Sequence, residues 1–117
     1  MRKLPNYLLV IVVSLLVISC SPTKTLYYWG TYDISSYNYL KNNDEKSMQE
    51  LISNYQSITG SQNSIRQVAP PGIYADYGFI LLKNGKTEEG NSMLEKEISL
   101  YPESKIFIDR IIKMQKQ

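Results

Sequence analysis

The side chains able to do chemistry in this chain are few. Among its 117 residues there is one cysteine, Cys20, and no histidine, so the commonest general base and metal ligand is missing. Paired carboxylates could still cleave a glycosidic bond. However, five of the 11 acids lie at expected helix starts or beside lysines, where a solvated, helix-stabilising role is sufficient. These acids are Glu88, Glu89, Glu95, Glu97 and Glu103. We therefore expect no catalysis, no cofactor and no metal.

Cys20 follows an apolar segment that has the features of a secretory leader. Two basic residues open the chain, an apolar run covers residues 7–18, and the small Ser19 stands at the expected cleavage site. The run is shorter than the roughly 20 residues that a membrane-spanning helix needs. The stretch VISC, residues 17–20, resembles a bacterial lipobox. This resemblance implies a signal peptide over residues 1–19, cleavage before Cys20, and acylation of its thiol and new amino group.

Fatty chains on Cys20 would hold the protein at a membrane, because two or more chains give stable anchoring. Ser21, rather than Asp, follows the cysteine. By resemblance to lipoproteins of two-membrane bacteria, this implies the outer membrane, with the domain facing the periplasm. The alternatives are an uncleaved anchor, or an ordinary signal peptide whose cysteine is incidental.

The charge of the mature chain limits its partners. Removing 19 of 117 residues leaves 98, enough for one small domain. The leader carries two of the 13 basic residues and none of the 11 acidic ones, so the mature chain has 11 of each. A neutral chain without a basic block is not expected to bind nucleic acid. An acylated Cys20 also leaves no thiol for a disulfide.

The mature chain shows helical periodicity and no sustained two-residue alternation. Residues 20–32 are expected to form a lipidated tether with an aromatic segment, and residues 33–117 a small all-α domain of helical hairpins. Tyr37 and Leu40 indicate a brief first helix. The next helix shows an apolar face, and its cap is either Ser47 with Glu50 or Asp44. That face contains Met48, Leu51, Ile52, Tyr55 and Ile58.

The second half begins after a polar linker over residues 59–72, which ends in Pro70, Pro71 and Gly72. Helices are predicted to end at Gly85 and at Pro102, and a last helix is predicted over residues 104–115. The apolar residues that indicate this last helix are Ile106, Phe107, Ile111, Ile112 and Met114.

Residues 71–104 follow the rhythm of a tetratricopeptide repeat. With Pro102 at the repeat's proline, Gly78 and Gly90 take its two small positions, which let the paired helices approach closely. Glu97 stands where a small residue is usual, which predicts looser or shifted packing against the last helix. Residues 104–115 resemble the solvating cap of such arrays. A coincidental helical hairpin is the alternative, and the first half is either a degenerate copy or an unrelated helical pair.

Nearly all of residues 27–113 resembles one family of small bacterial lipoproteins, described as a domain of unknown function, number 4810. The stretches that carry the resemblance are YYWGTY, YNYLKN, PPGIYADYGFILLKNGKTEEG and LYPESKIFIDRI. The resemblance implies a companion of two other lipoproteins, one similar to the curli secretion channel, in a cell-envelope assembly. It implies no activity.

Two sets of residues are candidates for partner contact. If the repeat is real, its first helix presents a concave face that could hold a peptide or helix, unless the N-terminal helices already cover that face as core. This face contains Ala75, Asp76, Phe79, Leu82 and Lys83. The aromatic segment contains Tyr27, Tyr28, Trp29 and Tyr32. Its rings could rest at the lipid headgroups, form a contact surface, or fold back on the core, and we favour folding back for Trp29.

The sequence thus predicts a lipid-anchored, non-catalytic scaffold or accessory subunit of a cell-envelope complex. The alternative is a periplasmic ligand-binding or cell-wall-associated factor that acts alone.

Overall fold

The computed structural model describes residues 5–17, 23–61 and 63–116. This part of the chain is helical and contains no strand, which confirms the predicted all-α class. A single 3₁₀ turn, Pro102–Ser104, separates the last two helices. The helices are α1 (Asn6–Val17), α2 (Tyr32–Asn42), α3 (Glu45–Gly60), α4 (Ile73–Lys83), α5 (Thr87–Leu100) and α6 (Lys105–Gln115).

Helix α1 forms from the apolar run of the predicted leader. It has 12 residues, and Tyr7, Val10 and Ile11 on it are exposed. Among the described residues, no helix is long and apolar enough to cross a membrane.

Helices α2 and α3 form a hairpin with a tight turn. Asn43 has a left-handed backbone (φ 49°), which ends α2, and Asp44 is the N-cap of α3. Of the two candidate caps, Asp44 is the one used, because its Oδ1 accepts a hydrogen bond from the Ser47 N–H at 2.8 Å. Hydrogen bonds from the Ser47 side chain and backbone lower the pKa of the Asp44 carboxyl.

The inward face of α2 differs from the prediction. Tyr37 and Leu40, the residues that indicated this helix, are both exposed. Ser35 is buried, and Tyr32 and Tyr39 pack against the core. An eleven-residue helix at the edge of the domain buries only one side, and here the buried side is the more polar one.

Helices α4 and α5 form the second hairpin, and they approach closely where glycines face each other. A Cβ atom on Gly78 would lie 2.8 Å from the Gly90 carbonyl oxygen, and one on Gly90 would lie 2.9 Å from the Gly78 carbonyl oxygen. Either contact is too short for a side chain. The close packing expected from the two small positions is therefore present.

Helix α6 lies where the last helix was predicted, but only one side of it is buried. Ile108 and Ile111 are buried, and Ile112 packs against the same cluster as Ile108. The solvating cap stays a prediction, because the exposed residues of α6 include both charged and apolar side chains. Three of the residues that indicated this helix are exposed, namely Ile106, Phe107 and Met114.

The core consists of two clusters on opposite sides of α4. The larger cluster joins α3 and α4, and the smaller one joins α4, α5 and α6. Buried members of the larger cluster include Leu51, Tyr55, Ile58, Ile73, Tyr77 and Leu81. Buried members of the smaller cluster are Ala75, Leu94 and Ile108.

The helices run up and down, so the domain has two distinct ends. At one end, which we call the turn end, the turn at residues 43–44 and the turn at residues 84–86 lie close together; Asn43, Asp44 and Asn84 line one cavity there. At the other, which we call the tether end, residues 23–31 and the linker 63–70 meet the start of α4 and the end of α5.

Candidate functional site

The predicted lipidation residue, Cys20, and its cleavage site lie outside the described residues. Acylation and removal of the leader therefore stay predictions. The structure describes the chain again from Thr23, three residues beyond the cysteine. What it shows is how the tether meets the domain.

The tether is attached to the linker by backbone hydrogen bonds. The Ile65 N–H donates to the Thr25 carbonyl at 3.0 Å, and the Arg66 N–H donates to the Leu26 carbonyl at 3.2 Å. The Arg66 guanidinium also lies over the Tyr27 ring, 5.7 Å from its centroid. The linker, which precedes the second half of the domain, also holds the tether in place.

The aromatic segment divides between core and surface. Tyr28 and Tyr32 pack against the larger core cluster, whereas the Trp29 side chain is 47% exposed. The expectation that Trp29 closes the core is therefore wrong. The rings that fold back are those of Tyr28 and Tyr32, which lie on either side of the left-handed Gly30 (φ 53°).

A row of four rings leads from the surface into the core. Trp29, Tyr32, Tyr55 and Tyr77 follow one another with centroid distances of 5.9, 6.0 and 5.3 Å. Such pairs stabilise beyond their buried area. Burial, together with the Asp76 carboxylate, raises the pKa of Tyr32 to about 12, and burial raises the pKa of Tyr55 further. Both phenols are therefore neutral at physiological pH, and the Tyr32 hydroxyl donates a hydrogen bond to Asp76.

The five residues of the predicted concave face do not form one surface. Ala75 is buried and Leu82 packs beside it, both against α5 and α6. Asp76, Phe79 and Lys83 lie on the side that faces α2. The face is split because α4 is covered from both sides, by α5 and α6 on one and by α2 and α3 on the other.

The α2–α4 groove is the accessible half of that face, a cavity of about 240 Å³ between these two helices above α3. The Asp76 Oδ2 accepts a hydrogen bond of 2.7 Å from the Tyr32 hydroxyl at its floor. The Lys83 ammonium lies 5.8 Å from the centroid of the Phe79 ring at its rim. The groove is small, is lined mostly by aromatic and aliphatic side chains, and carries one charge of each sign. Its other lining residues are Ser36, Tyr39, Leu40, Leu51, Tyr55 and Ile80.

Glu97, the departure from the repeat pattern, is fully buried and does not loosen the packing as expected. Its Oε1 accepts hydrogen bonds from the Gly72 N–H at 2.7 Å and from the Ser104 hydroxyl at 3.1 Å. Its Oε2 is buried and has no hydrogen-bond partner among the described residues. One carboxylate therefore links the start of α4, the end of α5 and the 3₁₀ turn.

Sequence reasoning missed a second polar link, Asn54. Its Oδ1 accepts from the Thr31 N–H at 3.1 Å, and its Nδ2 donates to the Ser35 hydroxyl at 3.0 Å. Asn54 thereby fixes the start of α2 against α3. It borders an open, polar groove of about 780 Å³ between those helices. No motif surrounds Asn54 in the sequence, so only its position in a buried helix face could have indicated this role.

The acids that could have formed a catalytic pair either accept structural hydrogen bonds or are exposed. Glu97 and Asp76 accept hydrogen bonds from structural groups, and Glu88, Glu89, Glu95 and Glu103 are exposed. Within the described segments, no group of three or more Cys, Asp or Glu side chains could hold a metal ion. The arrangement offers binding surfaces, and the absence of catalysis stays an expectation.

The fold and these surfaces define an all-α protein whose helices α2 to α6 pack in chain order. The model of the family described as "Domain of unknown function (DUF4810)" matches residues 26–111, which include α2 to α5 and most of α6. The chain belongs to this family, which confirms the resemblance found in its sequence. Comparisons with curated proteins and with solved structures give no significant match.

Proposed function

We propose that this protein is a lipid-anchored, non-catalytic scaffold or accessory subunit of a cell-envelope complex. The anchor is Cys20, whose thiol is acylated before residues 1–19 are removed and whose new amino group is acylated afterwards, and the domain faces the periplasm from the outer membrane. A lipoprotein similar to the curli secretion channel is the partner that the family resemblance suggests. The support comes from the lipobox-like sequence and from a surface at one end of the helical array.

The observation that carries the partner proposal is the outward face of α6. Ile106, Phe107 and Met114 are exposed there, together with Arg110 and Lys113, whereas Ile108 and Ile111 are buried. The Phe107 side chain is 54% exposed. Three large apolar residues on one helix face are typical of a surface that another protein covers.

The tetratricopeptide-like interpretation explains why this face lies on α6. In such arrays each helical pair needs a neighbour, and a terminal helix normally closes the stack with a polar outer side. Here the outer side carries three large apolar residues among its charged ones, so α6 would continue the array onto a partner helix rather than close it. The close approach at Gly78 and Gly90 and the 3₁₀ turn at Pro102 support this interpretation.

Site-specific photo-crosslinking in the native host tests the proposal. A photoreactive phenylalanine derivative at position 107 should give an adduct with another envelope protein. The same derivative at Ser92, an exposed position on α5 that lines none of the described cavities, is the matched control. It should give little or no adduct.

Three outcomes would contradict the scaffold proposal. They are no adduct at position 107, equal adducts at positions 107 and 92, or an adduct that contains only a second copy of this chain. Purified adducts are identified by their peptide masses, so the partner is named by the same experiment.

A further inference from the structure

The way the tether is held limits where the domain can lie relative to a lipid anchor. From Thr25 onward the tether is attached to the linker by the backbone hydrogen bonds to Ile65 and Arg66. Further along, the Thr31 N–H is bonded to Asn54 on α3. Only residues 21–24 separate Cys20 from this attached part.

The chain between Cys20 and Thr25 is short. An extended chain covers at most about 3.6 Å per residue, so Cys20 and Thr25 are at most about 18 Å apart. Helix α3, with 16 residues, is about 24 Å long. A lipid on Cys20 would therefore keep the tether end of the domain close to the bilayer, whereas the turn end can lie a helix length farther away.

The tether end carries the side chains that suit a lipid interface. Leu26 and Ile65 are 51% and 62% exposed on the two paired segments, and Trp29, three residues after Leu26, is also exposed. Residues 23–31 and 63–69 include the exposed Lys24 and Arg66 and no acidic residue. Tryptophan is enriched at membrane–water interfaces, and basic side chains near a membrane are attracted by anionic lipids.

We propose that the tether end is a lipid-binding surface, on which Leu26, Trp29 and Ile65 contact the headgroup region and Lys24 and Arg66 contact anionic lipid. This inference rests on the proposed anchoring at Cys20, because the short chain between Cys20 and Thr25 brings the surface to the membrane. The covalent chains hold the protein, and the surface fixes its orientation, with α2 to α5 rising from the bilayer.

Trp29 is the only tryptophan, so its fluorescence tests the inference directly. The purified lipidated protein is placed in vesicles of phosphatidylethanolamine and phosphatidylglycerol, with or without bromine on the acyl chains. Bromine quenches an indole only at close range. We expect the Trp29 emission to shift to shorter wavelength on membrane binding and to lose most of its intensity in brominated vesicles.

The matched control moves the tryptophan towards the turn end. The variant Trp29→Phe with Leu40→Trp places an exposed indole eight residues into α2, about 12 Å along the helix from Tyr32. Its emission should be nearly the same in both vesicle types. Far-UV circular dichroism should be unchanged, which shows that the variant is folded.

The outcomes separate this inference from the proposed function. If mass spectrometry finds the lipid but Trp29 is not quenched, or both indoles are quenched equally, the orientation is wrong and the anchoring stands. If no lipid is found on Cys20, the anchoring fails and the inference fails with it.

Discussion

The Glu97 carboxylate accepts the N–H of Gly72 across 25 residues of chain, at 2.7 Å, and thereby joins the end of α5 to the start of α4. Charge-assisted hydrogen bonds of this kind are stronger than neutral ones. The same oxygen accepts from the Ser104 hydroxyl, so one side chain fixes both hairpin α4–α5 and the turn into α6. A position where a small residue was expected is thus a buried polar junction.

Substitution of Glu97 should lower the free energy of unfolding. Glu97→Ala would leave the Gly72 N–H and the Ser104 hydroxyl without their acceptor, and we expect a loss of about 1–3 kcal/mol in unfolding free energy. Urea denaturation followed by circular dichroism measures this. Glu95→Ala on the exposed side of α5 is the control and should change stability by less than about 0.5 kcal/mol. Equal midpoints for the two variants would show that the junction contributes nothing.

The close approach of α4 and α5 predicts intolerance of even a methyl group. In Gly78→Ala the new Cβ would lie 2.8 Å from the Gly90 carbonyl oxygen, which is backbone and cannot rotate away. We expect a destabilisation of about 1–3 kcal/mol in thermal or urea unfolding.

Gly60→Ala tests whether this effect is specific to the contact. Gly60 is the last residue of α3, and a methyl group added there would have no neighbouring atom within 4 Å. This substitution should leave stability unchanged or raise it by about 0.4–1 kcal/mol, because alanine restricts the unfolded chain. A tolerated Gly78→Ala would contradict the observed packing.

The Tyr32–Asp76 pair predicts a loss of stability at alkaline pH. The pKa of Tyr32 is about 12 in the folded protein and about 10 in the unfolded chain, so between these values only the unfolded chain releases the proton. Stability is thus fully present below pH 10 and falls as the pH rises towards 12. Urea midpoints measured from pH 8 to 12 should fall less steeply for Tyr32→Phe than for the natural protein.

The exposed Tyr37 on the same helix provides the control, because Tyr37→Phe removes a phenol that has no hydrogen bond in the described structure. Its alkaline profile should follow that of the natural protein. The proposal of a Tyr32 contribution fails if the Tyr32→Phe and Tyr37→Phe profiles coincide.

Alanine substitutions at two neighbouring residues of α6 should differ in their effect on stability. Ile108 is fully buried, so Ile108→Ala should cost about 2–5 kcal/mol of unfolding free energy. Phe107 faces outward, so Phe107→Ala should change stability by less than about 0.5 kcal/mol. A large loss for Phe107→Ala in the isolated protein would mean that this face is covered by the domain itself.

Helix periodicity made much of the fold predictable. The apolar spacing in α3 and the predicted helix ends at Gly85 and Pro102 all indicated elements that the structure contains. Such signals are local, because each concerns one helix and its two ends. They also placed Gly78 opposite Gly90, since the repeat pattern fixes which positions face each other.

The surfaces were less predictable, because they depend on which helix covers which. The sequence could not tell that Trp29 stays exposed while Tyr28 and Tyr32 fold back. It could not tell that Ile106 and Phe107 face outward, because both sides of α6 are apolar. Pairings across long separations, such as Glu97 with Gly72, leave no local pattern, and only the packed structure brings the two residues together.

The mass of the mature protein, purified from its native host, tests the anchoring at Cys20 most directly. We predict a chain that begins at Cys20 and carries fatty acyl groups on that residue, with residues 1–19 absent. A free thiol at Cys20, or a chain that retains the leader, would contradict the proposed anchoring and the orientation derived from it.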